Sequence, residues 1–271
     1  MNSESYEREV PSFEISFWNG KSKPFALVVP VINEGERLWG LLDKMNSLGI
    51  HNLADIIIVD GGSTDGSLEL DQLIKVGVQS LLVKTGPGGL SAQLRCGYSF
   101  CSDLKYQGVV TIDGNGKDDP VSIPAFIELL LQGVDFIQAS RFRPGGQSIN
   151  TPLSRAFAIR LIHAPILSLA SGFKWTDTTQ GYRGYSMKLL NDRRLDIYRD
   201  VFQRYEMLPY LNLMAPRLKF RVRELATSRS YPAGSIPTKI EGFSGQMEIF
   251  GVLLKTVIGS YNVKALKDGE R

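Results

Sequence analysis

The chain has 271 residues, 43% hydrophobic and 22% charged, which is room for one large α/β domain or two small ones with an ordinary core. Its 31 basic and 28 acidic side chains leave a net charge of +3, too near balance for a nucleic-acid-binding protein, and no long basic run occurs. Cys96 and Cys101, five apart on a segment that reads as a helix, fall neither on one clear face nor at a metal-site spacing, so two reduced thiols are expected. The polar start MNSESYEREV lacks the charged-then-apolar order of a signal peptide, and no uninterrupted apolar run approaches the roughly 20 residues of a membrane span. A cytoplasmic protein is expected, any membrane contact being peripheral.

Residues 1–24 read as a polar lead-in with a weak element at 13–17. FALVVPV at 25–31 is a short β-branched run, as in a strand buried on both faces. A helix at 35–47 follows, with Leu38, Leu41, Leu42 and Met45 on one side. DIIIVD at 55–60 is a strand, and GGSTDGS a turn expected to open a helix. A strand at 80–84, the loop TGPGG, a helix at 90–104, the strand GVVTID, the helix PVSIPAFIELLLQG and the strand DFIQAS continue the alternation. Such repetition predicts an α/β fold, an open, mainly parallel twisted sheet with helices on both faces. Further on, an apolar helix at 152–171 with a bend at Pro165, a helix at 202–215, the basic strand LKFRVREL and a helix at 246–258 are expected. No linker marks a second domain. Residues 25–240 are taken as the domain, with 241–271 carrying a helix packed on it or extending it.

In such sheets ligands bind beyond the carboxyl ends of the strands. The residues there are Asn33 and Glu34, then 60–65, 86–89, 113–119 and 140–143, all rich in Gly, carboxylate or Arg. Turn-making explains one or two such ends, whereas their convergence on one edge points to a ligand site.

The motifs PVINEGERL, IIIVDGGSTDGS, TIDGNGKDDP, ASRF and DTTQGYRGYS, in that order, resemble family 2 glycosyltransferases of GT-A fold. The resemblance is nearest to the dolichol- and polyprenyl-phosphate sugar transferases and covers roughly residues 24–240. It implies an inverting transfer from a nucleoside diphosphate sugar to a lipid phosphate or a surface glycan. Pro30, Asn33 and Glu34 match the first nucleotide-contacting loop, and Asp60 the carboxylate that receives base or ribose. An Asx turn or helix cap is the plainer use of such residues, and it is the one assigned to Asp65.

Asp113 matches the first carboxylate of the Asp-x-Asp that holds Mg²⁺ or Mn²⁺ against the diphosphate, while the second position is Asn115, a weaker oxygen ligand. Lys117 falls where an ammonium could partly replace the cation, and Asp118 and Asp119 suit a cap for the following helix. Arg141, in Ser-Arg-Phe, and Arg155 match acceptor-phosphate residues, although Ile159 stands where that branch has a hydroxyl. Asp177 matches an acceptor-side carboxylate able to position or deprotonate a hydroxyl, and Glu206 is its rival. Arg229 and Lys239 match a late basic loop that closes over the diphosphate. His51 and His163 have no ligand spacing, and His163 is expected to be structural.

Two other activities use similar parts. A nucleotidyltransferase would need a basic, glycine-rich loop near its first strand, which PVINEGERL is not, and Asn115 is compatible with a weakly active sugar-nucleotide binder. The stripes at 161–173 and 243–258 are apolar enough to lie on a membrane surface, although core packing is the commoner use.

Overall fold

A computed structural model of the chain describes residues 8–232 and 242–263; Lys239, expected in the late basic loop, lies outside them. The β-branched runs form the centre of the sheet: β1 (Phe13–Trp18), β2 (Phe25–Val31), then after α1 (Glu36–Ser47) β3 (Asp55–Asp60). Next come α2 (Leu70–Lys75), β4 (Val78–Lys84), α3 (Leu90–Asp103), β5 (Gly108–Thr111), α4 (Ile123–Leu131) and β6 (Phe136–Ser140). A short β7 (Gln147–Ile149) leads to α5 (Leu153–Ala158) and α6 (Ala164–Ser171), then β8 (Arg183–Ser186) and α7 (Met187–Leu190). The chain continues through α8 (Met207–Arg217), β9 (Val222–Ala226), β10 (Ser228–Ser230) and α9 (Gly242–Val257).

The main sheet runs β1-β4-β3-β2-β5-β8-β6-β9, and β10 pairs with β7 in a separate two-stranded ribbon. Neighbours among β2, β3, β4 and β5 are parallel, as are β6 and β9, while β8 runs antiparallel between β5 and β6. This is the α/β, mainly parallel architecture that the alternation of strands and helices predicts. From β2 the chain builds outward to β4, then returns to β5 on the other side of β2, which opens a crevice beyond the carboxyl ends of β2 and β5.

Alternation along β2 divides the core. Ala26 and Val28 join Ile57, Val59 and α3, α6 and α8 on one face, and Leu27, Val29 and Val31 join α1 and α4 on the other. Gly97 lets α3 lie directly on the sheet, since a Cβ there would come within 2.9 Å of Val59 and 3.0 Å of Val28. Cys96 and Cys101 are buried free thiols on that helix. Helix α9 packs on α8 and places Leu253 in the core.

The weak element expected at 13–17 is an edge strand, β1, paired antiparallel with β4. Several other expectations are corrected. The GGSTDGS turn does not open a helix: Asp65 turns its carboxylate back onto the backbone N–H and hydroxyl of Ser67, and α2 starts only at Leu70. The apolar helix after residue 152 is irregular before Pro165, because proline has no N–H to donate, and the ladder widens to a π-turn over Ile159–His163. The whole rod, Leu153–Ser171, is also long and apolar enough by length and composition to cross a membrane, which the uninterrupted-run reading missed. The basic strand begins at Val222, after α8 and a left-handed turn at Lys219.

Candidate active site

The loops after β2 and β3 are tied to each other. Asn33, in the left-handed region at φ 52°, donates its N–H to Ser63 Oγ at 3.0 Å and accepts the Thr64 N–H at 2.8 Å. Asp65 reaches back to the Gly35 N–H at 3.0 Å. Asp60 is buried and receives both the N–H and the hydroxyl of Ser63, so the turn role and an inward-facing carboxylate coexist in one residue. Glu34, also buried, pairs with Arg37 at 2.9 Å. The next strand end locks on here: the Gly114 N–H bonds the Pro30 carbonyl at 3.2 Å, and Gly116 lies over the Arg37 carbonyl. The loops carrying Pro30, Asn33, Glu34 and Asp60 therefore lie against one another and against the 113–119 loop.

In that loop Asp113 is partly open, and one guanidinium nitrogen of Arg229 stands 3.8 Å from its carboxylate. The carboxylate lies directly over Gly181, where a Cβ would collide with it. Asn115 turns its oxygen to the Lys117 N–H at 3.1 Å. Lys117 is buried with its ammonium 5.3 Å from the Tyr231 ring centroid, and burial, then Arg229, lowers its pKa. Asp119 caps the short turn at Pro120 as expected, but Asp118 does not cap: it is buried in an ion pair with Arg229. Burial works against the charge on Arg229, yet Asp118, with Tyr231 and Asp113, outweighs it and keeps the guanidinium protonated. Arg229 is thus a fixed strand residue of β10 rather than part of a free loop, because its partner carboxylate is already folded around it.

After β6, Arg141 is buried and donates to Asp177 at 2.8 Å, to Thr179 Oγ1 at 3.3 Å and to the Tyr231 hydroxyl at 3.3 Å. Asp177 is fully enclosed, receiving also the N–H and hydroxyl of Thr179 and the Gln180 amide. Burial alone would raise its pKa, but Arg141, Gln180 and Thr179 together hold it below the usual value. Expected to position or deprotonate an acceptor hydroxyl, Asp177 has its oxygens engaged by Arg141, Thr179 and Gln180. Glu224 of β9 braces the same segment by accepting the N–H groups of Thr176 and Asp177. Arg183, in the same motif, is wholly buried on the carbonyls of Thr178, Gln180 and Leu208 and is structural.

Arg155 of α5 donates to the Tyr231 hydroxyl at 3.2 Å. Tyr231 therefore gathers Lys117, Arg141, Arg155 and Arg229 around one ring. Sequence reasoning missed it, along with Asp118 and Glu224. The signal for Tyr231 was its place two residues after Arg229, which puts both on one face of an extended segment. Glu206 lies at the N-terminus of α8, where it accepts the Arg204 N–H, while the Arg204 side chain pairs with Glu248. The 85–89 loop is absorbed structurally, Gly86 against Ser12 and Gly89 against Gln203.

Among the described residues no group of three or more His, Cys, Asp or Glu forms a ready metal cage. The donors present are the Asp113 carboxylate and the Asn115 amide oxygen, which keeps a second lone pair. That set fits Mg²⁺ or Mn²⁺ taking its other oxygens from water and a diphosphate, as Mg²⁺ commonly does.

Comparison with known proteins settles the family. The family model "Glycosyl transferase family 2" matches residues 26–194, well over half of the chain. The chain belongs to glycosyl transferase family 2. It is 28% identical to an undecaprenyl-phosphate mannosyltransferase of Micrococcus luteus over 62% of this chain and 69% of that one. It is 24% identical to a UDP-N-acetylglucosamine–dolichyl-phosphate N-acetylglucosaminyltransferase of Methanococcus voltae, over 76% and 85% of the two chains. In fold it is similar to glucosyl-3-phosphoglycerate synthase of Mycobacterium tuberculosis, at TM-score 0.63 and 17% identity over 88% of this chain and 79% of that one. That synthase was solved with Mn²⁺, UDP and phosphoglyceric acid, and also with Mg²⁺ and UDP. The family 2 glycosyltransferase is thus an enzyme of GT-A fold related to polyprenyl-phosphate sugar transferases.

Proposed function

We propose that this glycosyltransferase moves a sugar from a nucleoside diphosphate sugar to a polyprenyl phosphate, with inversion at the anomeric carbon. Asp60 and Glu34, with Asn33 and Pro30, receive the nucleoside. Asp113 and Asn115 hold a divalent cation, which when bound neutralises charge on the departing diphosphate. Lys117 and Arg229 face the same charge. Arg141 and Arg155 receive the acceptor phosphate, one of whose oxygens forms the new bond to the anomeric carbon as the bond to the diphosphate breaks. Nucleoside diphosphate leaves with that bond's electron pair.

The commitment of the Asp177 oxygens carries the choice of acceptor. A hydroxyl acceptor needs a base; of the two carboxylates expected for that task, Asp177 is bonded to Arg141, Thr179 and Gln180, and Glu206 accepts the Arg204 N–H at the start of α8, whereas the terminal nitrogens of Arg141 each keep a further N–H to donate. A phosphate is already anionic near neutral pH and asks only for cations. Relatives named for undecaprenyl and dolichyl phosphate acceptors support the same reading.

A lipid acceptor brings the enzyme to a membrane surface, on the cytoplasmic side where nucleotide sugars are held. Leu153 and Leu169 are 88% and 89% exposed, and Phe157 and Leu161 are exposed beside them, on the rod that also carries Arg155 and Arg160. An apolar face flanked by arginine suits shallow insertion among anionic headgroups.

A thermal-shift panel of UDP-, GDP-, CDP- and dTDP-sugars tests donor binding. One class should raise the unfolding temperature, and indifference to every member would reject the donor assignment. In turnover, release of pyrophosphate instead of nucleoside diphosphate would indicate a nucleotidyltransferase, and no turnover a binding protein.

A further inference from the structure

Tyr231 stands at the meeting point of four cations from four separate parts of the chain. Its hydroxyl takes a bond from Arg141, after β6, at 3.3 Å and one from Arg155, on α5, at 3.2 Å. Its ring centroid lies 5.3 Å from the Lys117 ammonium, 5.4 Å from Arg155 and 5.7 Å from Arg229. The tyrosine is itself fixed, 2% exposed, with its N–H on the Ile149 carbonyl and its carbonyl on the Asn150 amide.

Two guanidinium groups aimed at one point repel each other, and Coulomb repulsion is stronger away from water. The first of the pair is steered by Asp177. Arg155 sits on an outer helix whose exposed Leu153 and Phe157 contribute little to a core, so packing alone fixes its direction poorly. The tyrosine oxygen ties the two together: it accepts from both arginines, at the edge of a ring that attracts the cations as well.

We propose that Tyr231 is a positioning residue that holds Arg141 and Arg155 converged, so that the pair receives one phosphate of the acceptor. This rests on the acceptor reading given above. The phenol suits the task chemically. Burial opposes its ionisation, but Arg229 and Arg141, with bonds from Arg155 and Arg229, outweigh burial and lower its pKa to about 7. A hydroxyl so close to ionisation is a strong acceptor for both guanidiniums. The carboxylates nearby, Asp113, Asp118 and Asp177, are engaged by Arg229 and Arg141 and do not compete for Arg155.

The test is Tyr231→Phe, which keeps the ring and its packing and removes only the oxygen, compared with Arg155→Gln and the double variant. With undecaprenyl phosphate varied at saturating donor, the acceptor KM should rise about tenfold in Tyr231→Phe, with kcat and donor KM within about threefold of the parent. The double variant should be no worse than Arg155→Gln alone, because the tyrosine acts through that arginine. An unchanged acceptor KM, a rise confined to donor KM, or additive losses would overturn the proposal. Inorganic phosphate, titrated by calorimetry into each variant, gives a readout that does not depend on the acceptor's identity. Weaker phosphate binding in Tyr231→Phe and Arg155→Gln, and no further loss in the double variant, supports the tyrosine's role even if the lipid is not a substrate. Equal phosphate binding by parent and Tyr231→Phe rejects it. A parent that binds phosphate but ignores the lipid would instead overturn the acceptor reading.

Discussion

Arg141 and Asp177 form an ion pair at 2.8 Å with both side chains out of contact with water. The two residues come from different sides of the fold's antiparallel insertion, Arg141 after β6 and Asp177 before β8, so the pair fixes one strand end against the next. Removing the carboxylate leaves a buried guanidinium without its counter-charge, at a cost of about 3–5 kcal/mol. Asp177→Asn should unfold at correspondingly lower denaturant, measured by equilibrium urea titration. A loss of activity with unaltered stability would instead mark Asp177 as a reacting group.

The same pair predicts a pH dependence. The pKa of Asp177 in the folded state is below its ordinary value of 3.8, so its stabilising contribution is complete above that value and is lost as pH falls through the folded value. Thermal unfolding followed from about pH 6 to about pH 2 should therefore fall less steeply at the acid end in Asp177→Asn than in the parent. Parallel curves would contradict the ion-pair account.

Gly181 has no room for a side chain because the Asp113 carboxylate occupies that space. The obstructing atoms end a short, partly exposed side chain, so Gly181→Ala should fold with a stability change of about 1 kcal/mol or less. The displaced carboxylate should nevertheless lower kcat by about 100-fold, as should Asp113→Asn, which changes the carboxylate without moving it. Full activity in Gly181→Ala would show that the position of Asp113 does not matter.

Metal dependence should be present but shallow, since Asn115 replaces a carboxylate and Lys117 and Arg229 already bring positive charge. Excess chelator should lower activity, and Asn115→Asp should reduce the Mn²⁺ concentration for half-maximal rate by about tenfold. Full transfer in excess chelator would assign the electrostatic work to Lys117 and Arg229 alone.

Much of the central sheet was legible because strands buried on both faces leave short, β-branched runs. Phe25–Val31 and Asp55–Asp60 are observed at the bounds their composition indicated. The site was legible only in part. Asp60, Asp113 and Arg141 sit at strand ends, where position along the chain predicts position in space. Asp118 looked like a turn residue because its partner, Arg229, is 111 positions away, and no local pattern reports such a pairing. Tyr231 was missed for the same reason: three of the cations around it, Lys117, Arg141 and Arg155, are supplied by distant segments. Asp177 was recognised by motif, but whether a carboxylate meets solvent or a buried arginine is decided by packing.

The exposed apolar rod should confer binding to anionic vesicles. Replacing Leu153, Phe157 and Leu161 together with Ser should weaken co-sedimentation with such vesicles by about tenfold while leaving the fold intact, since these side chains meet solvent. Unchanged sedimentation would remove this face from any membrane role.

The most direct measurement is release of nucleoside diphosphate from the stabilising sugar nucleotide, with and without undecaprenyl phosphate. Release that depends on the lipid phosphate, with the sugar recovered in the organic phase, is the expected result. Release that ignores the lipid phosphate but responds to a hydroxyl acceptor would contradict a crevice in which arginines, rather than a base, receive the acceptor.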